Sequence, residues 1–460
     1  MSVKTEPING KVSEPIEIVS NKIKFYTISL YAVFILLSSF VFNSPVEIIR
    51  GMGNIAVTPS ILVTDYIKIG NLGAALFNCG LLMLICMVII KVNKIEIKGP
   101  VIAAVITVGA FALFGKNIYN IWAILLGVYL HAHVQKEKFS TFIVVAFFGT
   151  ALAPVVSQIS FGLELPLIRG ILLGNIAGVI IGFILPPLAK QFFSFHNGFN
   201  LYNVGFTAGI VGTFLMAIIR SLDLDNKTTM IIAEGYNHIL TVYLIGIFIS
   251  MMILGFIYNG NTIKGFGKLL SRSGKATTDF IEEDGFGLTL INMGLLGIMA
   301  TAYVLSVKGQ LNGPIVGGVL TIVAFGAFGK HIKNCIPIMI GVFIAAYFQK
   351  WDANATGPLL AALFGTTLAP IAGKYGWGSG IIAGMFHMTL VMNVGLVHGG
   401  MNLYNNGFSG GFVGATLVPL LDAYGKSMIF IKWSVLFPFW SVPVAKDYYS
   451  IGTTQKQYDG

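Results

Sequence analysis

The chain has 460 residues, 55% hydrophobic and only 10% charged, with a net charge of +10 and a mean hydropathy of +0.81. Soluble domains carry about 25% charged residues, so this composition excludes an ordinary soluble fold. In so apolar a chain an excess of Lys and Arg reports cytoplasmic loops and not nucleic acid. The alternating pattern of a membrane β-barrel is absent, and the expected class is an all-α integral membrane protein whose first partner is the lipid bilayer.

In chain order, residues 1–23 are polar and mixed in charge and read as a cytoplasmic N-terminal tail without a signal peptide. Apolar runs suited to membrane helices of roughly 20 residues follow near 24–42, 69–90, 99–115, 118–134, 140–158, 168–190 and 203–219. After Pro186 and Pro187 the chain is expected to leave its helix before His196. A second set lies near 237–258, 285–307, 313–329, 335–350, 357–373, 378–397 and 405–421, and a last run near 428–445. The total is about 14–15 transmembrane or re-entrant helices.

The two sets repeat each other. "HNGFNLYNVGFTAGIVG" (His196–Gly212) returns as "HGGMNLYNNGFSGGFVG" (His398–Gly414), identical at eleven of seventeen positions. "LFGKNIYN" (Leu113–Asn120) returns as "AFGKHIKN" (Ala327–Asn334), and "GTALAP" (Gly149–Pro154) as "GTTLAP" (Gly365–Pro370). The chain is an internal duplication: repeat 1 spans 24–236, repeat 2 spans 237–427 with a basic linker at 260–284, and 428–460 hold a terminal span and tail. Seven spans per repeat, an odd number, place the second copy upside down. Lys264, Lys268, Arg272 and Lys275 of the linker, and Lys91, Lys94, Lys136 and Lys138, then fall on the side of the N-terminus, which is expected to be cytoplasmic. Arg50 and Lys68, balanced by Glu47 and Asp65, fall outside.

Inverted repeats commonly place a solute near the membrane midplane, where broken helices from both copies meet. Three duplicated elements mark candidate breaks. In the first, the glycines suit close helix packing, while His196, Asn200, Tyr202 and Asn203, with His398, Asn402, Tyr404 and Asn405, supply neutral hydrogen-bonding groups for a small polar solute. In the second, Lys116 and Lys330 follow Phe-Gly between apolar runs, where a lysine is costly unless it snorkels, faces a cavity or serves a helix C-terminus. In the third, Asp65 and Asp279 follow Thr at the start of a span, as helix caps first and coupling-ion ligands second. Cys79, Cys86 and Cys335 lie singly in apolar runs and read as core. No metal site, cofactor motif or enzyme signature is present.

The duplicated "NLYNxGFxxGxVG" and the "TPSxLxTDY" beginning at Thr58 resemble an uncharacterised family of bacterial polytopic membrane proteins, a domain of unknown function that brings no assigned activity. That resemblance implies a multi-pass protein of the bacterial cytoplasmic membrane. A weaker likeness is to urea transporters, also built from inverted halves: "IRGMGNIAVTPS" (Ile49–Ser60) is similar to their opening element and "LFGKNIYNIWAILLGVYL" (Leu113–Leu130) to a later one. Their filter signature is missing, "LELPLIRG" being a poor match.

The expected function is a secondary transporter or channel for a small polar solute held between the repeats, with a urea- or amide-type channel as one form of it. It is not an enzyme, needs no cofactor, and leaves room for a homo-oligomer. The rival is an intramembrane enzyme acting on a lipid, with His196 and His398 as acid and base.

Overall fold

A computed structural model describes residues 19–59, 63–223, 230–349 and 351–424; most of the N-terminal tail and the expected span at 428–445 with its tail lie outside them. Repeat 1 comprises α1 (Asn21–Phe42), α2 (Pro45–Val57), α3 (Tyr66–Ile69), α4 (Leu72–Val92), α5 (Gly99–Phe111), α6 (Ile121–Val134), α7 (Ile143–Gly149), α8 (Ala153–Phe161), α9 (Leu167–His196) and α10 (Asn203–Ser221). Repeat 2 follows the same order with α11 (Asn237–Tyr258), α12 (Phe266–Leu269), α13 (Phe280–Glu283), α14 (Phe286–Ser306) and α15 (Gly313–Phe325). It closes with α16 (Ile332–Phe348), α17 (Thr356–Gly365), α18 (Ala369–Tyr375), α19 (Trp377–Val394) and α20 (Asn405–Tyr424).

Eight helical segments among the described residues are long and apolar enough to cross a membrane, and α5, α6, α15 and α16 are shorter apolar helices. Large apolar side chains such as Leu37 on α1, Ile168 on α9 and Val242 on α11 are exposed, as a lipid-facing surface requires. The protein is an all-α, multi-pass membrane protein.

Equivalent helices of the two copies run antiparallel. On α1 and α11, Thr27 Oγ1 meets Tyr258 OH at 3.1 Å while Ser38 Oγ meets Tyr243 OH at 2.7 Å, so early residues of one face late residues of the other. In α5 and α15, Gly99 packs against Ala327 and Phe328, and Gly313 against Leu113. A pseudo-twofold axis therefore passes between the copies at right angles to these helices, the relation expected of inverted repeats.

Three local readings change. The run 99–115 stays helical only to Phe111, and 313–329 only to Phe325. Thirteen residues rise about 20 Å, too little for a hydrocarbon core of about 30 Å, so α5 and α15 are half-helices. By contrast α9 runs unbroken through Pro186 and Pro187 to His196. The residue one turn before Pro186 is Gly182, packed against the Ile124 carbonyl, and packed neighbours let membrane helices keep a proline. Finally α2, unforeseen, starts at a capping box in which Ser44 and Glu47 cap each other's backbone N–H.

Candidate functional site

The half-helices end where Phe-Gly-Lys is duplicated. Gly115 (φ +100°) and Gly329 (φ +86°) take left-handed conformations that suit glycine. Lys116 N–H then reaches back to Phe111 O at 3.0 Å, and Lys330 N–H to Phe325 O at 3.1 Å, the closing bond of a Schellman C-cap. Two asparagines clamp each turn. Asn78 of α4 donates to Ala112 O (2.7 Å) and Lys116 O (2.9 Å), and Asn292 of α14 to Gly326 O (2.9 Å) and Lys330 O (2.8 Å). Asn120 and Asn334 donate to Gly115 O and Gly329 O, each at 2.8 Å. The carbonyls left over where each helix stops are thus satisfied inside the membrane.

Each lysine side chain crosses to the other repeat. Lys116 Nζ donates to Tyr404 OH at 2.9 Å, and Lys330 Nζ to Tyr202 OH at 2.5 Å. Both lysines are fully buried. The tyrosines come from the "NLYN" loops, residues 197–202 between α9 and α10 and the matching loop before α20. Gly205 and Gly407 let those loops meet: a Cβ on Gly205 would lie 2.8 Å from Tyr404 Cβ, and one on Gly407 would lie 2.9 Å from Tyr202 Cβ.

The two loops are bonded differently. Asn200 is bonded at both amide atoms: Nδ2 donates to Gly407 O (2.9 Å), and Oδ1 accepts from Thr367 Oγ1 (2.6 Å) and Tyr202 N–H (3.2 Å). His196 Nε2 donates to Asn203 Oδ1 at 3.0 Å, and Asn203 Nδ2 to Ala189 O at 2.9 Å. In the second loop Asn402 Oδ1 accepts from Tyr404 N–H at 3.0 Å, while Asn402 Nδ2, both ring nitrogens of His398 and Asn405 Oδ1 are buried without a partner. One cause is local. Thr367, which ties the first loop, corresponds to Ala151 in the duplicated "GTALAP", and Ala151 offers Leu403 only its carbonyl, at 3.1 Å.

Between the loops and half-helices lies a cavity of about 190 Å³ whose lining includes Tyr202, Asn203, Thr107 and Phe111 from repeat 1, and Thr321, Phe325, Phe364 and Tyr404 from repeat 2. Six rings close around it. Going round, Phe111–Phe364 (5.4 Å between centroids), Phe364–Tyr202 (6.4 Å), Tyr202–Phe325 (4.6 Å), Phe325–Phe148 (5.5 Å), Phe148–Tyr404 (6.5 Å) and Tyr404–Phe111 (4.7 Å) are all in contact. Every ring has its counterpart across the pseudo-twofold axis.

Of the residues expected from sequence, Tyr202, Asn203 and Tyr404 line this cavity. Asn200, His398 and Asn402 lie in its loops, His196 ends α9 and Asn405 begins α20, all outside its lining, and Lys116 and Lys330 reach it through the tyrosines. Asp65 and Asp279 cap half-helices of the opposite repeat: Asp65 Oδ2 accepts from Gly313 N–H at 3.1 Å and Asp279 Oδ2 from Gly99 N–H at 3.0 Å. Each also caps its own short helix, through Ile67 N–H and Ile281 N–H, both at 2.9 Å. The four phenylalanine rings, Thr107, Thr321, Asn78 and Asn292 were not singled out from sequence, although each pair recurs between the copies. Another missed cluster is unduplicated. His387 Nε2 meets Asn406 Oδ1 and Nδ1 meets Ser409 Oγ, both at 3.0 Å, where repeat 1 carries Leu185, Val204 and Thr207.

No group of three or more His, Cys, Asp or Glu able to hold a metal occurs among the described residues. No curated protein and no solved structure matches the chain. The profile of the family described as "Protein of unknown function (DUF1576)" matches it twice, over residues 44–221 and 258–423, one match to each repeat. The chain therefore belongs to that family, as a duplicated, multi-pass membrane protein.

Proposed function

We propose that the protein is a secondary transporter or channel that passes a small polar solute between its two repeats, in the cytoplasmic membrane of a bacterium and with its N-terminus inside. The observation that carries this reading is the cavity itself. It lies at the pseudo-twofold axis, draws its walls from both copies, and is bordered by the ends of two half-helices. That is where inverted-repeat transporters hold their solutes. A membrane scaffold has no use for an unfilled volume, since interiors otherwise pack densely.

An enzyme acting on lipid fits less well. Its proposed acid and base, His196 and His398, are both buried and outside the cavity lining, and among the described residues no carboxylate is hydrogen-bonded to either ring.

The test is solute flux in proteoliposomes, followed by light scattering with urea, acetamide, glycerol and short carboxylates. Wild type should accelerate entry of at least one over empty vesicles. Thr321→Trp, which fills the cavity from α15, should lower that rate at least tenfold while the protein still elutes as a folded species in detergent. No acceleration by wild type for any solute would overturn the reading.

A further inference from the structure

The two buried lysines identify the kind of solute, given the transport reading above. Lys116 and Lys330 are fully buried, and the hydrogen bond found for each Nζ goes to a neutral tyrosine hydroxyl. No ion pair joins either to an Asp or Glu among the described residues. Aromatic faces surround them instead. Lys116 Nζ lies 5.3 Å from the Phe111 centroid and 5.0 Å from that of Tyr404; Lys330 Nζ lies 4.5 Å from Tyr202 and 5.0 Å from Phe325.

Ring faces attract an ammonium group and offer little to a neutral amine, so they lessen the cost of charging each lysine. A desolvated cation–π contact returns about 2 kcal/mol, whereas burying an ion costs several kcal/mol even after relaxation. The helix ends do not close the gap. The C-terminus of each half-helix and the N-terminus of the helix after it carry opposite partial charges close to the same lysine. Without a protein counterion each lysine therefore lacks what holds a buried ammonium charged, and an anion beside its tyrosine would supply it.

The cavity shows where a counterion would sit. Each tyrosine hydroxyl accepts from its lysine; the Tyr404 proton is then available to donate, whereas Tyr202 also meets the Thr366 hydroxyl. Thr107 Oγ1, in the lining, is buried without a partner. The remaining wall is largely apolar, and an apolar cavity of about 150 Å³ is enough for benzene, so 190 Å³ admits a flat ring bearing one polar group.

We propose that the solute is a small monovalent carboxylate with a flat apolar body, no larger than about benzoate. Its body lies among the six rings, and its carboxylate accepts from Tyr202 or Tyr404, each backed by a lysine from the opposite repeat.

Equilibrium dialysis of the full chain in detergent, with labelled benzoate, benzamide and benzylamine in parallel, tests this. Benzoate should bind at least tenfold more tightly than either isostere. Tyr202→Phe with Tyr404→Phe keeps both rings and removes both donors, and should erase that preference. Lys116→Met with Lys330→Met should do the same if that variant folds. Equal or better binding of benzamide overturns the carboxylate assignment and leaves the transport reading intact. Binding of none of the three also overturns it, and the Thr321→Trp flux comparison then decides separately whether transport itself survives.

Discussion

Asn200 and Asn402 show how far one residue's role depends on its neighbours. Both open an identical "NLYN", yet only Asn200 is tied to the other repeat, through Gly407 O and Thr367 Oγ1. Truncating it removes the acceptor of the buried Thr367 hydroxyl and the side-chain donor to Gly407 O, while Tyr202 N–H keeps Thr367 Oγ1 at 2.9 Å. A buried polar group left unsatisfied costs about 1–3 kcal/mol. Asn402 supports Tyr404 N–H alone, and its amide nitrogen has no bond to lose. Asn200→Ala should therefore lower the thermal midpoint in detergent clearly more than Asn402→Ala, by a gap of about 2 kcal/mol in stability. Equal losses would show that the unbonded state of the second loop is not its resting one.

The half-helices are the elements on which the site depends, and each is held by the opposite copy. Asp65 gathers Gly313 N–H, Ala233 N–H and Ile67 N–H, at 3.1, 2.9 and 2.9 Å. Asp279 gathers Gly99 N–H and Ile281 N–H at 3.0 and 2.9 Å. Capping by a side-chain oxygen is worth about 1 kcal/mol, and more where the donors are buried, so Asp65→Ala should destabilise the protein by about 2–3 kcal/mol. Asp65→Asn, which keeps one acceptor oxygen, should cost less. If Asp65→Asn instead abolished flux at unchanged stability, the carboxylate would serve an ion and not a helix end. Capping by these aspartates was legible in sequence, because Thr-Asp before an apolar run has a local meaning. Their reach to the other repeat was not, because nothing within a few residues of Asp65 names Gly313. The lysine turns divide in the same way. Phe-Gly-Lys advertised a helix end, but Asn78, which clamps the turn from inside α4, sits in an apolar run with no local signal beyond its recurrence as Asn292. Of the six rings, the four phenylalanines lie in such runs, and only their pairing across the axis sets them apart from core. The unduplicated His387, Asn406 and Ser409 lay outside any argument built on repetition.

At the scale of the molecule, inversion gives a prediction about sides. Span counting and the basic loops place the two copies in opposite senses, and the antiparallel pairings of α1 with α11 and α5 with α15 require the same relation. Lys94 and Lys308 are its cleanest reporters. Each follows a membrane-spanning helix, α4 or α14, each is exposed, and both adopt left-handed backbone, at φ 52° and 60°. They are equivalent positions and must face opposite sides of the membrane. The Lys94 loop should share its side with the basic linker, since Lys98 Nζ meets Glu282 Oε1 at 2.5 Å at the linker's end. The native cysteines are buried, so single cysteines at Lys94, Lys268 and Lys308 can be probed with an impermeant maleimide on intact cells and on inside-out vesicles. Lys94→Cys and Lys268→Cys should react only in the vesicles, Lys308→Cys only in cells. Reaction of the first two in cells and of the third in vesicles would keep the inversion and reverse the proposed orientation. Reaction of Lys94→Cys and Lys308→Cys from one side would make the duplication parallel, and a cavity shared by two opposed half-helices could not then form on an axis in the membrane plane.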